Sequence, residues 1–337
     1  MINSISLSKT TINRILKTLT AVAIPLGLAS CINEYPHPES CLYDVTLNVS
    51  CQSDWLPELD MTATKADGEQ IEYIFQVYES GASLTSAPVA EKKVYSSDFN
   101  RNTFSVDITL HAGNYDLYVW SDVCGENGEA LYYNTADFAK ISLLTPYEGD
   151  SNLKDAFRGT TSFSIDWTMH GKPINRSVTL TRPLARYILV ATDLEDYLGT
   201  LQQPDDPTKA IGENAFEGYS VEVAYPLFLP SVFNNFTNRP VDAWNDMSFS
   251  GSITPYNAGQ VTVGMDYVLI NGEESNVQLS LKIFDEEGTD ISSTGTLNVP
   301  ILRNRTTIVY GKFLTTSGEG DITLNPEFKG QYNIEIN

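Results

Sequence analysis

Few residues of this chain have the type and spacing that catalysis requires. Its three histidines, His37, His111 and His170, lie in a polar segment or beside turn glycines, where we expect them to be solvated. The sequence contains no H-E-x-x-H motif, no G-x-S-x-G nucleophile motif and no glycine-rich phosphate loop. We therefore predict that the protein is not an enzyme, has no catalytic residues and binds no cofactor.

Neighbouring carboxylates are the remaining candidates for chemistry, because a glycosidase needs only two of them across a cleft. Candidates occur at residues 195–196, 205–206 and 285–287. The chain has 43 Asp and Glu, so such neighbours arise by chance, and their positions in loops and turns favour solvation. Residues 285–290 lack the D-x-[DN]-x-[DN]-G pattern of a calcium loop. We predict no metal site. A hydrolase that is exported from the cell is kept as an alternative function.

Three cysteines, Cys41, Cys51 and Cys124, could support thiol chemistry in the body of the chain. They form no C-x-x-C pair, so a structural zinc site has no support. Cys51 and Cys124 each end a strand-like segment. In an exported protein we expect either one disulfide, between Cys51 and Cys124, or three buried thiols.

The fourth cysteine ends an export signal. Residues 1–30 carry three basic residues and no acidic one, and an apolar stretch follows at residues 19–28, too short to span a bilayer. The segment ends in Leu28-Ala29-Ser30-Cys31, which resembles the lipobox of bacterial lipoproteins. The resemblance implies cleavage before Cys31, acylation of its thiol and, with Ile at position 32 in place of Asp, delivery to the outer membrane. The alternative is an ordinary signal peptide with a chance cysteine.

The charge of the chain restricts its partners. The 337 residues include 21 Lys and Arg against 43 Asp and Glu, a net charge of −22. Loss of residues 1–30 would leave 18 basic residues against 43 acidic ones, a net charge of −25. So acidic a protein is not expected to bind nucleic acid or a membrane through a basic patch, and an acyl group on Cys31 is therefore the expected membrane anchor.

Short alternating strands are predicted along most of the chain after a polar tether at residues 31–41. Residues 42–51, 71–78, 104–110 and 115–119 alternate apolar and polar side chains, and a second series includes residues 260–270, 277–284, 296–302 and 306–314. Helix is expected only at residues 194–202. We predict an all-β protein of two tandem β-sandwiches, at residues 42–183 and 184–337, with the boundary at Arg182-Pro183.

Several segments, in this order, resemble the fimbrillin-related two-domain surface lipoproteins of Bacteroidales, which are associated with type V pili. They are residues 31–36 (CINEYP), 112–122 (AGNYDLYVWSD), 131–134 (LYYN), 155–159 (DAFRG), 182–187 (RPLARY) and 304–315 (NRTTIVYGKFLT). The resemblance implies transthyretin-like sandwiches and a fimbrial subunit, anchor or adhesin at the cell surface. Many members of the group are known only as domains of unknown function.

The resemblance also implies two states of the first strand. In polymerising members a protease cuts after an early basic residue and releases a strand, and the open groove accepts a strand from another subunit. Here the first basic residue after Cys31 is Lys65, and cleavage there would release residues 42–51. A retained strand, as in an anchor or a stand-alone lipoprotein, is the favoured alternative. Residues 332–336 could be a donor strand or the last strand of the second domain.

Exposed aromatic side chains would indicate another function. The tryptophans, Trp55, Trp120, Trp167 and Trp244, could stack on sugar rings if they formed an exposed row, although core packing is more usual. Trp120 alternates with Leu117 and Val119 and would face outward from a one-sided sheet. The alternative function is therefore an outer-membrane lipoprotein that binds glycans.

Overall fold

The structure is a computed structural model that describes residues 41–52, 68–99, 103–201, 216–318 and 332–336. The expected signal peptide, the acylation site Cys31 and the cleavage site Lys65 lie outside the described residues. So do Trp55 and His37.

The described residues of the first half of the chain form nine strands. Alternating apolar side chains produce them, and β1 is representative: its odd-numbered residues up to Val49 are buried and its even-numbered ones lie outward. The strands are β1 (Tyr43–Cys51), β2 (Gln70–Glu79), β3 (Ala90–Ser96), β4 (Phe104–Leu110), β5 (Gly113–Cys124), β6 (Tyr133–Asn134), β7 (Ile141–Leu143), β8 (Phe157–Ile165) and β9 (Ile174–Leu180).

Seven of these strands form the first sandwich. One sheet has the order β4-β1-β9 and the other β3-β2-β5-β8. In the first sheet β1 is antiparallel to β4 and parallel to β9. The buried side chains of the two sheets meet in one core cluster, which includes Val45, Leu47, Tyr73, Leu117 and Val178.

The described residues of the second half contain one short helix and thirteen strands. The predicted helix is present as α1 (Leu194–Leu201). The strands are β10 (Leu184–Ala191), β11 (Ser220–Tyr225), β12 (Leu229–Asn234), β13 (Arg239–Trp244), β14 (Met247–Gly251), β15 (Thr254–Asn257), β16 (Gln260–Leu269), β17 (Glu274–Phe284), β18 (Asp290–Thr294), β19 (Leu297–Leu302), β20 (Thr306–Gly311), β21 (Ser317–Gly318) and β22 (Tyr332–Ile336).

The second sandwich repeats the topology of the first. Its sheets contain β16-β10-β20 and β14-β11-β17-β19, which correspond in chain order, pairing and direction to β4-β1-β9 and β3-β2-β5-β8. In each sandwich the first strand is central, antiparallel to a middle strand and parallel to a late one. The all-β prediction of tandem sandwiches is confirmed. The transthyretin-like detail stays a prediction.

The two halves also share structure across residue 183. Strand β7 of the first half pairs with β12 of the second, in a sheet of order β13-β12-β7-β6. Ile74 of β2 and Trp120 of β5 belong to the core cluster of the second half. The sheet β3-β2-β5-β8 is therefore covered on both faces along part of its length. The domain boundary at residue 183 stays a prediction.

Candidate functional site

The first strand is held in the centre of its sheet. Val45, Leu47 and Val49 are fully buried, and β1 pairs along its length with β4 on one side and β9 on the other. On the outer face the Thr46 hydroxyl donates to Asp107 Oδ1 at 2.7 Å. A strand bound in this way fills the hydrophobic groove between β4 and β9, the groove that a strand from another chain would need.

The last strand lies at the edge of the second sandwich. Strand β22 pairs in parallel with β20, with Thr307 opposite Tyr332 and Gly311 opposite Ile336. Within the described residues it is the terminal strand of its sheet. In the structure this segment pairs with β20 of its own chain, and the donor strand stays the alternative prediction.

The expected disulfide between Cys51 and Cys124 is not formed, so this prediction is wrong for the structure. Cys51 shares the inward face of β1 with Val49 and packs against the first core. Cys124 lies on the face of β5 that carries Trp120, opposite to the face of Val123. The two Cβ atoms therefore lie on opposite sides of β5, where a disulfide cannot join them.

Cys124 is instead a buried thiol. Its Sγ donates to the carbonyl oxygen of Gln70 at 3.5 Å. Burial raises the pKa of the Cys124 thiol to about 11, with the nearby carboxylates of Glu72 and Asp122 acting in the same direction. A thiol of this kind is a poor nucleophile at neutral pH.

The three tryptophans within the described residues have different surroundings. Trp120 is fully buried and packs edge-on against Tyr133 at 5.7 Å, since the sheet that carries it is covered on both faces. Trp244 is half-buried against Tyr147. Trp167 is 63% exposed. These three therefore do not form an exposed aromatic row.

The histidines and acidic turns within the described residues have ordinary structural contacts. His111 Nδ1 lies 3.2 Å from the carbonyl oxygen of Cys41, and the His170 ring packs edge-on against Tyr43. Asp285 Oδ1 accepts hydrogen bonds from the backbone of its own turn, at residues 287 and 289. No group of three or more His, Cys, Asp or Glu is placed to hold a metal ion in the part of the chain that the structure describes.

A buried ionic cluster that no sequence motif indicated joins the two halves. Lys154 Nζ lies 2.7 Å from Asp266 Oδ1, and neither side chain is more than 1% exposed. The Tyr147 hydroxyl donates to Asp266 Oδ2, as does the Tyr225 hydroxyl at 2.6 Å. The backbone N–H of Tyr267 donates to Oδ1 at 2.7 Å. Asp266 therefore accepts hydrogen bonds from both halves of the chain.

The pKa values in this cluster follow from burial. Burial holds the pKa of Lys154 below its ordinary value, while Asp266 acts in the opposite direction. The Tyr187 hydroxyl joins the cluster, 2.6 Å from that of Tyr225. Burial and the Asp266 charge raise the pKa of Tyr147, Tyr187 and Tyr225 well above the usual value of a phenol. The phenols therefore remain protonated donors, and the cluster can stabilise the contact between the sandwiches.

A second buried ion pair lies where the two halves of the chain meet, next to residue 183. Arg182 binds Asp155 with two nitrogens, Nε to Oδ1 at 2.5 Å and Nη2 to Oδ2 at 3.0 Å, and its Nη1 donates to Asn304. Nearby, Arg158 donates to the side chain and the backbone carbonyl of Asn235. Three of the segments that carry the family resemblance, which contain Asp155, Arg182 and Asn304, thus meet here. Their order along the chain is a signal that could have indicated this junction.

Within the described ranges, no helix is long and apolar enough to cross a bilayer.

The chain is similar to one protein family and to several solved structures. Residues 39–337 match a family of unknown function, DUF6562. No curated protein matches the sequence.

Three of the similar structures have TM-scores near 0.4. A protein of Bacteroides ovatus, provisionally described as a cell adhesion protein, is 9% identical with a TM-score of 0.43, over 79% of this chain and 90% of that one. The fimbrial anchor protein Mfa2 of Porphyromonas gingivalis is 9% identical with a TM-score of 0.39, over 74% and 82%. Proteins of Bacteroides thetaiotaomicron provisionally described as polysaccharide binding (DUF1812) are 13% identical with a TM-score of 0.40, over 85% and 94%.

Proposed function

The chain belongs to the DUF6562 family of unknown function, and we propose that it is a non-enzymatic lipoprotein of the cell surface that serves as a fimbrial subunit, anchor or adhesin. The observation that carries this proposal is the position of β1. This strand begins at Tyr43, twelve positions after the lipobox cysteine Cys31. The expected anchor and the first strand of the sandwich are therefore close neighbours in the chain.

The position of β1 supports an anchored role. A chain of twelve residues spans at most roughly 40 Å when fully extended, so an acyl group on Cys31 would hold the first sandwich close to the membrane. Several acyl chains on one cysteine give a stable attachment, since each buried CH₂ contributes about 0.8 kcal/mol. The same chain continues into β1, whose buried residues Val45, Leu47 and Val49 fix it in the sandwich core.

We expect β1 to be retained, as in an anchor or accessory subunit, and not released, as in a polymerising one. Cleavage after Lys65 would separate β1 from the rest of the sandwich, and loss of its three fully buried side chains would leave a groove between β4 and β9. Contacts with pilus subunits use strand addition at a sheet edge, for which main-chain hydrogen bonds provide affinity. With β1 in place, we expect such contacts at the outer edges of the sheets.

The test is the chemical state of the mature N-terminus. Protein extracted from outer membranes with detergent should have an acylated Cys31 as its first residue by mass spectrometry, and residues 42–51 should be present. The Cys31→Ser variant is the control and should lose both the acyl group and the membrane attachment. An unmodified N-terminus at another position would refute the anchor, and a chain that starts at residue 66 would indicate a polymerising subunit.

A further inference from the structure

The buried cluster between the two halves holds an amine against a carboxyl group, away from bulk water. Lys154 Nζ lies 2.7 Å from Asp266 Oδ1, and the two side chains are 1% and 0% exposed. A carbonyl C–O bond is about 1.2 Å long, so Nζ lies at most about 4 Å from Asp266 Cγ. Two groups that the fold holds this close can react far faster than the same groups free in solution.

The Tyr147 hydroxyl connects the amine to the carboxyl group. It accepts a hydrogen bond from Lys154 Nζ at 2.6 Å and donates one to Asp266 Oδ2. A proton that leaves the amine can therefore reach Oδ2 through this single hydroxyl. Proton transfer between reacting groups needs such a chain of hydrogen bonds.

The two carboxyl oxygens of Asp266 have different donors. The backbone N–H of Tyr267 donates to Oδ1 at 2.7 Å, whereas the Tyr225 hydroxyl donates to Oδ2 at 2.6 Å. A fixed backbone N–H can stabilise negative charge on Oδ1, as the donors of an oxyanion hole do. Oδ1 is therefore placed to become an amide oxygen, and Oδ2 is placed to receive protons.

A small cavity lies beside these groups. Its volume is about 10 Å³, and the residues that line it include Lys154, Tyr147, Tyr132 and Glu148. A cavity of this volume is close to the minimum that holds one water molecule. The cluster therefore has space beside it for the one water that condensation of an amine with a carboxyl group releases.

We propose that Lys154 and Asp266 condense to an intramolecular isopeptide bond that joins the two halves of the chain. One proton passes from the ammonium group through Tyr147 to Oδ2, and the neutral amine attacks Cγ. A C–N bond forms, and negative charge collects on Oδ1 beside the Tyr267 N–H. A second proton passes from the nitrogen to Oδ2, the Cγ–Oδ2 bond breaks, and the electron pair on Oδ1 restores the carbonyl. The ammonium and the carboxylate thus give one amide and one water.

Burial favours both the nucleophile and the product. It holds the pKa of Lys154 below its ordinary value, and the uncharged amine is the nucleophilic form. Condensation replaces two buried charges with a neutral amide, which removes the cost of keeping an ion pair out of water. The bond would close a loop between residues 112 apart and restrict the unfolded chain, as a disulfide does. Where the bond has formed, loss of Lys154 removes a cross-link as well as a charge, so stability falls further than for the ion pair alone.

The test is peptide mass spectrometry of the native protein after denaturation and digestion with trypsin. Trypsin cuts after free lysine and should not cut after Lys154. The peptide of residues 141–158 should therefore be found joined to the peptide that contains Asp266, at their summed mass less one water. Lys154→Arg keeps the positive charge and should give only separate peptides. The internal control is the exposed pair Lys312 and Asp196, 3.5 Å apart, which should remain unlinked in the same digest.

Tyr147→Phe tests the proton relay, because it removes the bridging hydroxyl and leaves the donors Tyr225 and Tyr267 in place. The linked fraction, sampled at intervals after a pulse of synthesis, should rise about a hundredfold more slowly than in the unmodified chain. The matched control is Tyr133→Phe. It removes another fully buried hydroxyl, which donates to the backbone carbonyl oxygen of Lys154 at 2.7 Å, and it should link at the unmodified rate. Circular dichroism establishes that both variants are folded.

Two results would overturn the proposal. The first is a native protein in which the peptide that ends at Lys154 is found only in its unlinked form, since this identifies an ordinary ion pair. This result needs no variant, so it decides the question even if Tyr147→Phe does not fold. The second is a folded Tyr147→Phe variant that links as fast as the unmodified chain. Neither result depends on acylation of Cys31 or on a fimbrial role, so failure here is distinct from failure of the proposed function.

Discussion

The buried pair Lys154–Asp266 gives the sharpest test of how the two sandwiches are held together. Lys154→Met keeps an unbranched side chain of similar length but removes the ammonium group 2.7 Å from Asp266 Oδ1. The variant therefore tests the charge and leaves most of the packing in place. Because Lys154 belongs to the first half and Asp266 to β16, the effect is on the contact between the halves.

The expected magnitude follows from burial. Removing one partner of a buried ion pair costs about 3–5 kcal/mol, because the other charge remains in a medium that solvates it poorly. Asp266 would keep three donors, the hydroxyls of Tyr147 and Tyr225 and the N–H of Tyr267. We therefore expect the unfolding free energy to fall by about 3 kcal/mol, near the lower end of this range. Adding Asp266→Leu to Lys154→Met should not restore the loss, because these three donors would then be buried without their acceptor.

The assay is urea unfolding followed by circular dichroism, with Lys312→Met as the matched control. Lys312 Nζ lies 3.5 Å from Asp196, and both side chains are exposed, so its loss should change the unfolding free energy by less than about 1 kcal/mol. If Lys154→Met and Lys312→Met differ by less than about 1 kcal/mol, the buried pair does not stabilise the junction and this reasoning is wrong.

Three further predictions concern the first sandwich. Leu47→Asp places a carboxylate in the core and should prevent the sandwich from folding, as measured by limited proteolysis, whereas the outward Asn48→Asp should be tolerated. Gly159→Ala should lower the unfolding free energy by about 1–3 kcal/mol in urea titrations, because its Cβ would lie 2.9 Å from the Thr179 carbonyl oxygen; an unchanged midpoint would contradict this. Burial raises the pKa of the Cys124 thiol from 9.0 to about 11, so the folded state keeps a proton that the unfolded chain loses. Stability should therefore fall as the pH rises from about 9 to about 11, and Cys124→Ala should reduce this slope in unfolding measured across that range.

The strands that the sequence indicated best are those with one buried face. β1 and β4 alternate buried and outward residues along their length, so a period of two was visible in the sequence. Strand β3 was missed because it has charged and half-exposed side chains and lies at the edge of its sheet. The short strands β12 to β15 carry few alternating apolar residues and were missed for a similar reason.

The candidate site residues also divide into those that the sequence indicated and those that only the structure identified. Cys31 was recognised from a local motif and Lys65 from the family resemblance, and both stay predictions. The disulfide was wrong because the ends of two segments say nothing about which side of a sheet each thiol faces. Trp167 was one of four tryptophans, and only the structure distinguished it by its exposure from the buried Trp120.

Local sequence was enough to establish the fold class and the short helix, and it predicts the export signal, since each depends on residues close together in the chain. What covers each face of a strand was settled by the packing of distant segments. Lys154 and Asp266 are 112 residues apart, and both faces of part of β5 are buried by different halves of the molecule. An alternating pattern reports which side of a strand is apolar, but the partner on that side comes from elsewhere in the chain.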